Sequence, residues 1–167
     1  PLADQTTDYA TTPWSCVKDN VTGLTWEVKT DNGGMHDKDW TYRWYDSRYP
    51  DPTLPPNTPP NQGLCDSSWA CLTGALANRS NTSNFCGYND WRLPTSAELF
   101  GLTALDQSQS IDLAYFPNTS AGARYWTIET RAEDISSAWY LSNNLTWYDK
   151  KSKVFPVRLV RGSSNSN

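Results

Sequence analysis

Between Glu129 and Asp149 the chain gathers side chains able to hold a ligand: Glu129, Arg131, Tyr140, Asn143, Asn144, Trp147, Tyr148 and Asp149. Trp and Tyr rings offer flat apolar faces with a polar handle. Asn, Asp, Glu and Arg offer directional donors and acceptors. A sugar ring needs both, an apolar face to lie on and partners for its hydroxyls. Trp126 and Trp139 sit inside strand-like runs and are expected in the core. Trp147, Tyr148 and the Asn143-Asn144 pair are expected at the surface, although Asn-Asn is also ordinary hairpin-turn chemistry.

Catalytic readings find less support. The chain has one histidine, His36, and no Gly-x-Ser-x-Gly nucleophile motif. Asp37, Asp39, Glu129 and Asp134 have no spacing that pairs them for acid-base work, so no enzyme is expected. Asp37 and Asp39, within His36-Asp37-Lys38-Asp39-Trp40, are the one candidate set for Ca²⁺. That stretch lacks an Asp-x-Asp-x-Asp-Gly loop, and a local hydrogen-bonded turn is the competing role. No other cofactor is implied. Asp90-Trp91-Arg92 is expected to hold a structural Asp–Arg contact or a backbone cap.

The four cysteines, at 16, 65, 71 and 86, lack zinc-ligand spacing and are even in number. Two disulfides formed in an oxidising compartment are expected, which places the chain outside the cell or on its surface. Of three possible connectivities, Cys65–Cys71 as a local clip and Cys16–Cys86 as a long-range staple are favoured. A net charge of -4 argues against nucleic acid, whose phosphates need clustered Lys and Arg. Lys150-Lys151-Ser152-Lys153 reads as a solvated hairpin tip. No apolar run reaches the roughly 20 residues of a membrane span, so no membrane insertion is expected.

The elements that must position these residues follow from pattern. Residues 1–13 read as a flexible N-terminal segment, 14–162 as one domain and 163–167 as a tail. Cys16–Lys18 and Leu24–Val28 read as strands about an Asp/Asn/Gly turn. Residues 36–62 read as loop, ending in a stretch that holds six of the chain's 11 prolines. Ser68 to about Arg79 has helical spacing, and Asn78–Asn84 reads as a polar loop. Thr95 followed by Glu98 is a capping box that opens a second helix over about Ser96–Thr103. Strands are expected at Tyr125–Thr130, Ser137–Ser142, Leu145–Tyr148 and Val154–Arg161, with Pro156 marking an edge or a bulge in the last. The layout is α+β, mainly antiparallel β with two short helices and long loops, stapled by disulfides. The two ends of the chain are expected to meet in one sheet.

Several of these segments, in this order, resemble a known family. They are Cys16-Val17-Lys18-Asp19-Asn20-Val21-Thr22-Gly23-Leu24-Thr25-Trp26, Gly34-Met35-His36-Asp37-Lys38-Asp39-Trp40, Cys86-Gly87-Tyr88-Asn89-Asp90-Trp91-Arg92-Leu93-Pro94-Thr95, and Val157-Arg158-Leu159-Val160-Arg161-Gly162. Ile111-Asp112, Tyr115-Phe116-Pro117, Tyr125-Trp126 and Ala138-Trp139 fill the intervals. The pattern is similar to the Lcl C-terminal domain family, named after a collagen-like bacterial adhesin, and covers about residues 14–162. The Trp91-to-Glu98 run also resembles formylglycine-generating-enzyme-like domains. The resemblance implies a C-type-lectin-like fold on bacterial secreted or surface proteins, and adhesion through a surface glycan or protein receptor. The alternative is a structural or assembly module of a pilus, fibre or filament. In the named adhesin the domain is linked to sulfated glycosaminoglycans. A sulfated polyanion needs a local basic patch, and this chain is acidic.

Overall fold

A computed structural model describes residues 8–48, 63–66, 70–103, 111–120 and 122–163. The proline-rich stretch, residues 1–7 and the tail from 164 lie outside the described residues, as do Ser68 and Trp69. Among the described residues, eight short strands make three antiparallel sheets. β1 (Cys16–Lys18) and β2 (Thr25–Glu27) form a hairpin, and β8 (Val160–Arg161) adds to the other side of β2. Both ends of the domain therefore share one sheet, as the strand-like character of each suggests. In the β1–β2 turn, Asp19 accepts backbone N–H donations from Val21 and Gly23, and Gly23 takes a positive φ of 78°.

β3 (Tyr42–Arg43) pairs with β7 (Val154–Phe155). This pair corrects two expectations. The 36–62 stretch is not wholly loop, because β3 lies within it. The expected strand over 154–161 also breaks after Phe155. Pro156 has no N–H to give a ladder, and Arg158 turns fully inward beyond it.

β4 (Tyr125–Thr130), β5 (Ser137–Ser142) and β6 (Leu145–Lys150) form the third sheet. Asn143 and Asn144 join β5 to β6 with φ of 49° and 58°, the paired left-handed geometry of a type I′ turn.

α1 spans Thr73–Thr82 and α2 spans Ser96–Gly101. The Thr95–Glu98 capping box is formed in both directions. α1 starts later than its apolar stripe suggests and absorbs residues read as loop. In its polar last turns two hydroxyls bond back to the helix's own carbonyls. Ser80 Oγ donates to Leu76 O at 2.9 Å, and Thr82 Oγ1 donates to Asn78 O at 2.9 Å. Asn81 clamps Trp91, accepting from its N–H at 2.6 Å and donating to its carbonyl at 3.0 Å.

Both favoured disulfides are present, Cys16–Cys86 and Cys65–Cys71. Thr11 and Thr12 turn back on Asp8, and Tyr9 meets Trp14 edge-on at 4.9 Å. Among the described residues no helix is long and apolar enough to cross a membrane.

The core has two apolar clusters, and strand alternation in β4 and β5 feeds both. Trp126 and Tyr140 enter one with Tyr42, Trp44 and Phe155. Tyr125 and Leu141 enter the other with Trp26, Leu99 and Val160. Tryptophans stitch the loops to this core. The indole N–H groups of Trp14, Trp40, Trp44, Trp91 and Trp126 each donate to a backbone carbonyl, on Tyr115, Gly34, Thr127, Phe85 and Tyr42. These bonds satisfy polar atoms that burial would otherwise strand.

Charge is buried too. Glu27 is fully enclosed. Its Oε1 accepts from Lys29 Nζ and from His36 Nδ1, both at 2.7 Å, and its Oε2 accepts from Leu159 N at 2.7 Å. Arg158 donates to Glu27 O and to Thr119 Oγ1, both at 2.8 Å. Burial opposes ionisation of Glu27, but the adjacent Lys29 and His36 hold its carboxyl down at about 2. Lys151 corrects the reading of the basic hairpin tip. It is fully buried, with its ammonium 4.2 Å from the Trp44 ring centre.

Candidate functional site

The β5–β6 hairpin carries most of the residues singled out above. Cross-strand pairing decides which of them share a face, because directly opposed residues point the same way. Tyr140 opposes Trp147, and Trp139 opposes Tyr148. Tyr140 is core: it packs on Trp126 and on Phe155, at 6.0 Å and 4.8 Å between ring centres. This removes Tyr140 from the ligand-contacting set. Trp147 lies on the same side but beyond the edge of the core, and stays 52% exposed. Tyr148 points to the opposite side, 48% exposed. Trp147 and Tyr148 therefore do not form one platform.

The outer face is built from Tyr148, Trp139 and Arg131. Trp139 is half-buried rather than core, and meets Tyr148 edge-on at 5.5 Å. The Arg131 guanidinium lies 3.8 Å from the Tyr148 ring centre, and its Nε stands 3.3 Å from a Glu133 carboxylate oxygen. Period-two alternation along Trp139-Tyr140 and Trp147-Tyr148 was the signal in the sequence for this split. One ring of each pair had to face out.

The remaining candidates have local work. Glu129 accepts from Ser96 N at 2.8 Å and Ser96 Oγ at 3.2 Å, anchoring the start of α2 against β4. Asn143 and Asn144 make the turn. Asp149 accepts from Lys150 N at 2.7 Å. Asp134 gathers Ser136, Ser137 and Lys150, and these donors hold its carboxyl well below the usual carboxylate range.

Two further groups have hydrogen-bond and ion-pair partners close by. Asp37 is buried and accepts from the backbone N–H groups of Asn32, Gly33 and Asp39, the local hydrogen-bonded turn weighed against a Ca²⁺ role. Burial acts against its ionisation, and those three donors together with Lys38 outweigh it, so its carboxyl is held low. Asp31, Asp37 and Asp39 do bring carboxylate oxygens within 4.8 Å of one another. Lys38 already supplies positive charge there, 3.3 Å from Asp31 and 2.8 Å from Asp39. Asp90 makes an Asp–Arg contact, but with Arg161 from outside its own motif, through two bonds of 2.9 Å. Arg92 pairs instead with Glu98, at 2.8 and 2.7 Å.

No curated protein and no solved structure matches this chain. The model of one protein family does match, over residues 15–161, nearly the whole length. Its span includes both disulfides, both helices and all eight strands described above. The chain belongs to the Lcl C-terminal domain family.

Proposed function

We propose that this domain is an extracellular or cell-surface binding module of the adhesin type, with a C-type-lectin-like fold, that recognises a glycan through the outer face of the β4–β6 sheet. The observation that carries this reading is the arrangement of Arg131, Tyr148 and Trp139. A ring held between a guanidinium and an indole edge is pre-positioned, so little side-chain freedom is lost on binding. The fold reading is supported by chain ends joined in one sheet, two helices and long loops. Two disulfides support the extracellular setting. Binding rather than catalysis is part of the proposal: the single histidine is committed to Glu27 and to a stacked contact with Phe85 at 3.8 Å.

A glycan array with the isolated domain tests it. Saturable binding to a defined sugar, weakened at least tenfold in Tyr148→Ala and Arg131→Ala with the melting temperature preserved, is the expected result. The loss corresponds to about 1.4 kcal/mol. Binding that both variants retain at full strength overturns it.

A second reading, an assembly module of a pilus, fibre or filament, is favoured by β6. This strand is the sheet's edge, and Leu145, Trp147 and Tyr148 along it are about half exposed or more. An open edge with apolar side chains is a template for another chain. Sedimentation showing concentration-dependent oligomers that Trp147→Lys abolishes would favour this reading over the first.

A further inference from the structure

A cleft on another side of the molecule carries a separate proposal. It lies between α1, the Trp44–Arg48 segment and the Trp91–Leu93 segment, with a volume of about 410 Å³. Ligand sites for small molecules start near this size. Its inner wall is apolar, from Trp44, Trp91, Leu72, Leu93 and Ile128. Its rim is polar, from Asp46, Ser47, Arg48, Asn78 and Arg92.

The walls are held in place before any ligand arrives. Trp44 is fixed through its N–H to Thr127 O at 2.8 Å and by the Lys151 ammonium. Trp91 is fixed through its N–H to Phe85 O at 2.9 Å, and its backbone is clamped by Asn81. The Tyr45 backbone brackets Thr73 Oγ1, donating at 2.9 Å and accepting at 3.0 Å. α1 approaches this segment so closely that a Cβ on Gly74 would stand 3.0 Å from Tyr45 O. A rigid cleft loses little entropy on binding.

Charge at the rim selects the ligand. Arg48 is paired to Asp46 through three side-chain bonds of 2.6 to 3.1 Å, and Arg92 is paired to Glu98. Each guanidinium already faces a carboxylate, whose negative charge offsets its own and repels an anionic group entering the cleft. A purely apolar group would fill the wall but desolvate Asn78, Ser47 and the edge of the Asp46–Arg48 pair without replacing their water. A ring with apolar faces and a belt of neutral hydroxyls matches both surfaces. We propose that this cleft is a binding site for a neutral pyranose-type ring, distinct from the outer face of the sheet.

Two-dimensional amide NMR of the full chain tests this with named probes. They are methyl β-glucoside, methyl β-galactoside, methyl β-N-acetylglucosaminide, glucose 6-sulfate and N-acetylphenylalanine amide. The expected result is saturable shifts for at least one neutral glycoside. The shifts fall at Gly74, the Asn78 side-chain amide and the Trp44 and Trp91 indole N–H signals. Asn78→Ala weakens that binding about fivefold, the effect of losing one neutral hydrogen bond. Ala75→Trp, at a half-buried wall position, fills the cleft and abolishes it, while the melting temperature and the array binding of the outer face persist. No shift at these residues with any neutral glycoside overturns the proposal. So does a response confined to the sulfate or to the phenylalanine amide, or one that survives Ala75→Trp. Tyr148→Ala leaves the cleft shifts unchanged, which separates failure here from failure of the outer-face reading.

Discussion

Replacing Glu27 by Gln tests the buried charge network directly. The native carboxylate takes three donors and neutralises Lys29, whose side chain is 2% exposed. An amide presents a donor where an acceptor is required and strands the ammonium in the core. The depressed carboxyl sets the size of the effect. Its fall from 4.5 to about 2 converts at about 1.4 kcal/mol per pH unit to about 3 kcal/mol of stability. Removing one partner of a buried pair has a similar range, about 3–5 kcal/mol. The sign follows from the direction. A carboxyl lowered on folding contributes fully above 4.5, and the contribution drains away as pH falls from there to about 2. Asp37, Asp90 and Glu98 are also held low and also weaken the fold in acid. They do so equally in both proteins, so the difference between wild type and variant isolates Glu27. Urea unfolding followed by tryptophan fluorescence, at pH 7 and near pH 2, reads that difference. Glu27→Gln is expected to lose about 3 kcal/mol at pH 7 and almost nothing near pH 2. Adding Lys29→Met is expected to recover part of the loss by removing the stranded charge. A loss below about 1 kcal/mol at pH 7, or one unchanged near pH 2, would refute the reasoning.

Breaking the Cys16–Cys86 staple by Cys86→Ala is expected to lower stability by about 4 kcal/mol, because the bridge closes a loop with a sequence separation of 70. Differential scanning calorimetry of variant and parent checks this, and in a reducing agent, which opens Cys65–Cys71 in both, the two should melt together. Thr95→Ala removes the side-chain half of the capping box and is expected to lose about 1 kcal/mol in urea unfolding. Asn144→Ala removes the short polar side chain that makes a left-handed φ of 58° tolerable for a residue with a β-carbon and is expected to lose about 1 kcal/mol, whereas Asn144→Gly should be close to neutral by the same assay.

Local chemistry made much of this fold legible. The capping box at Thr95, the Asn-Asn turn and the Asp/Asn/Gly turn each act within a few residues, and all stand where their spacing put them. Strands β4 and β5 match their runs because alternating residues supply two core clusters at once. What escaped depends on partners far along the chain. The last turn of α1 is polar, and the clamp of Asn81 on the Trp91 backbone, ten positions on, ties it to the rest of the fold. Lys151 looked like a solvated lysine because nothing nearby announces Trp44 beneath it. β3 is two residues long and exists because β7 returns to it from more than a hundred positions away. The candidate site was half legible. Arg131 and Tyr148 were among the named residues, but the split of adjacent aromatics between faces needed the register of β5 on β6.

The position of β2 between β1 and β8 has a mechanical consequence. Cys16 opposes Glu27 at one end of β2, and Arg161 opposes Thr25 at the other. A tug applied through both ends of the domain therefore slides these strands along their length and strains several rungs together, instead of peeling them one at a time. The bridge from Cys16 to Cys86 then fixes the distance between those two cysteines, so the backbone that holds β2, β3 and α1 cannot be drawn out while it is intact, even after the rungs give way. A tethered domain wired this way can lengthen only through its later half, where the β4–β6 sheet lies, until the bridge is reduced.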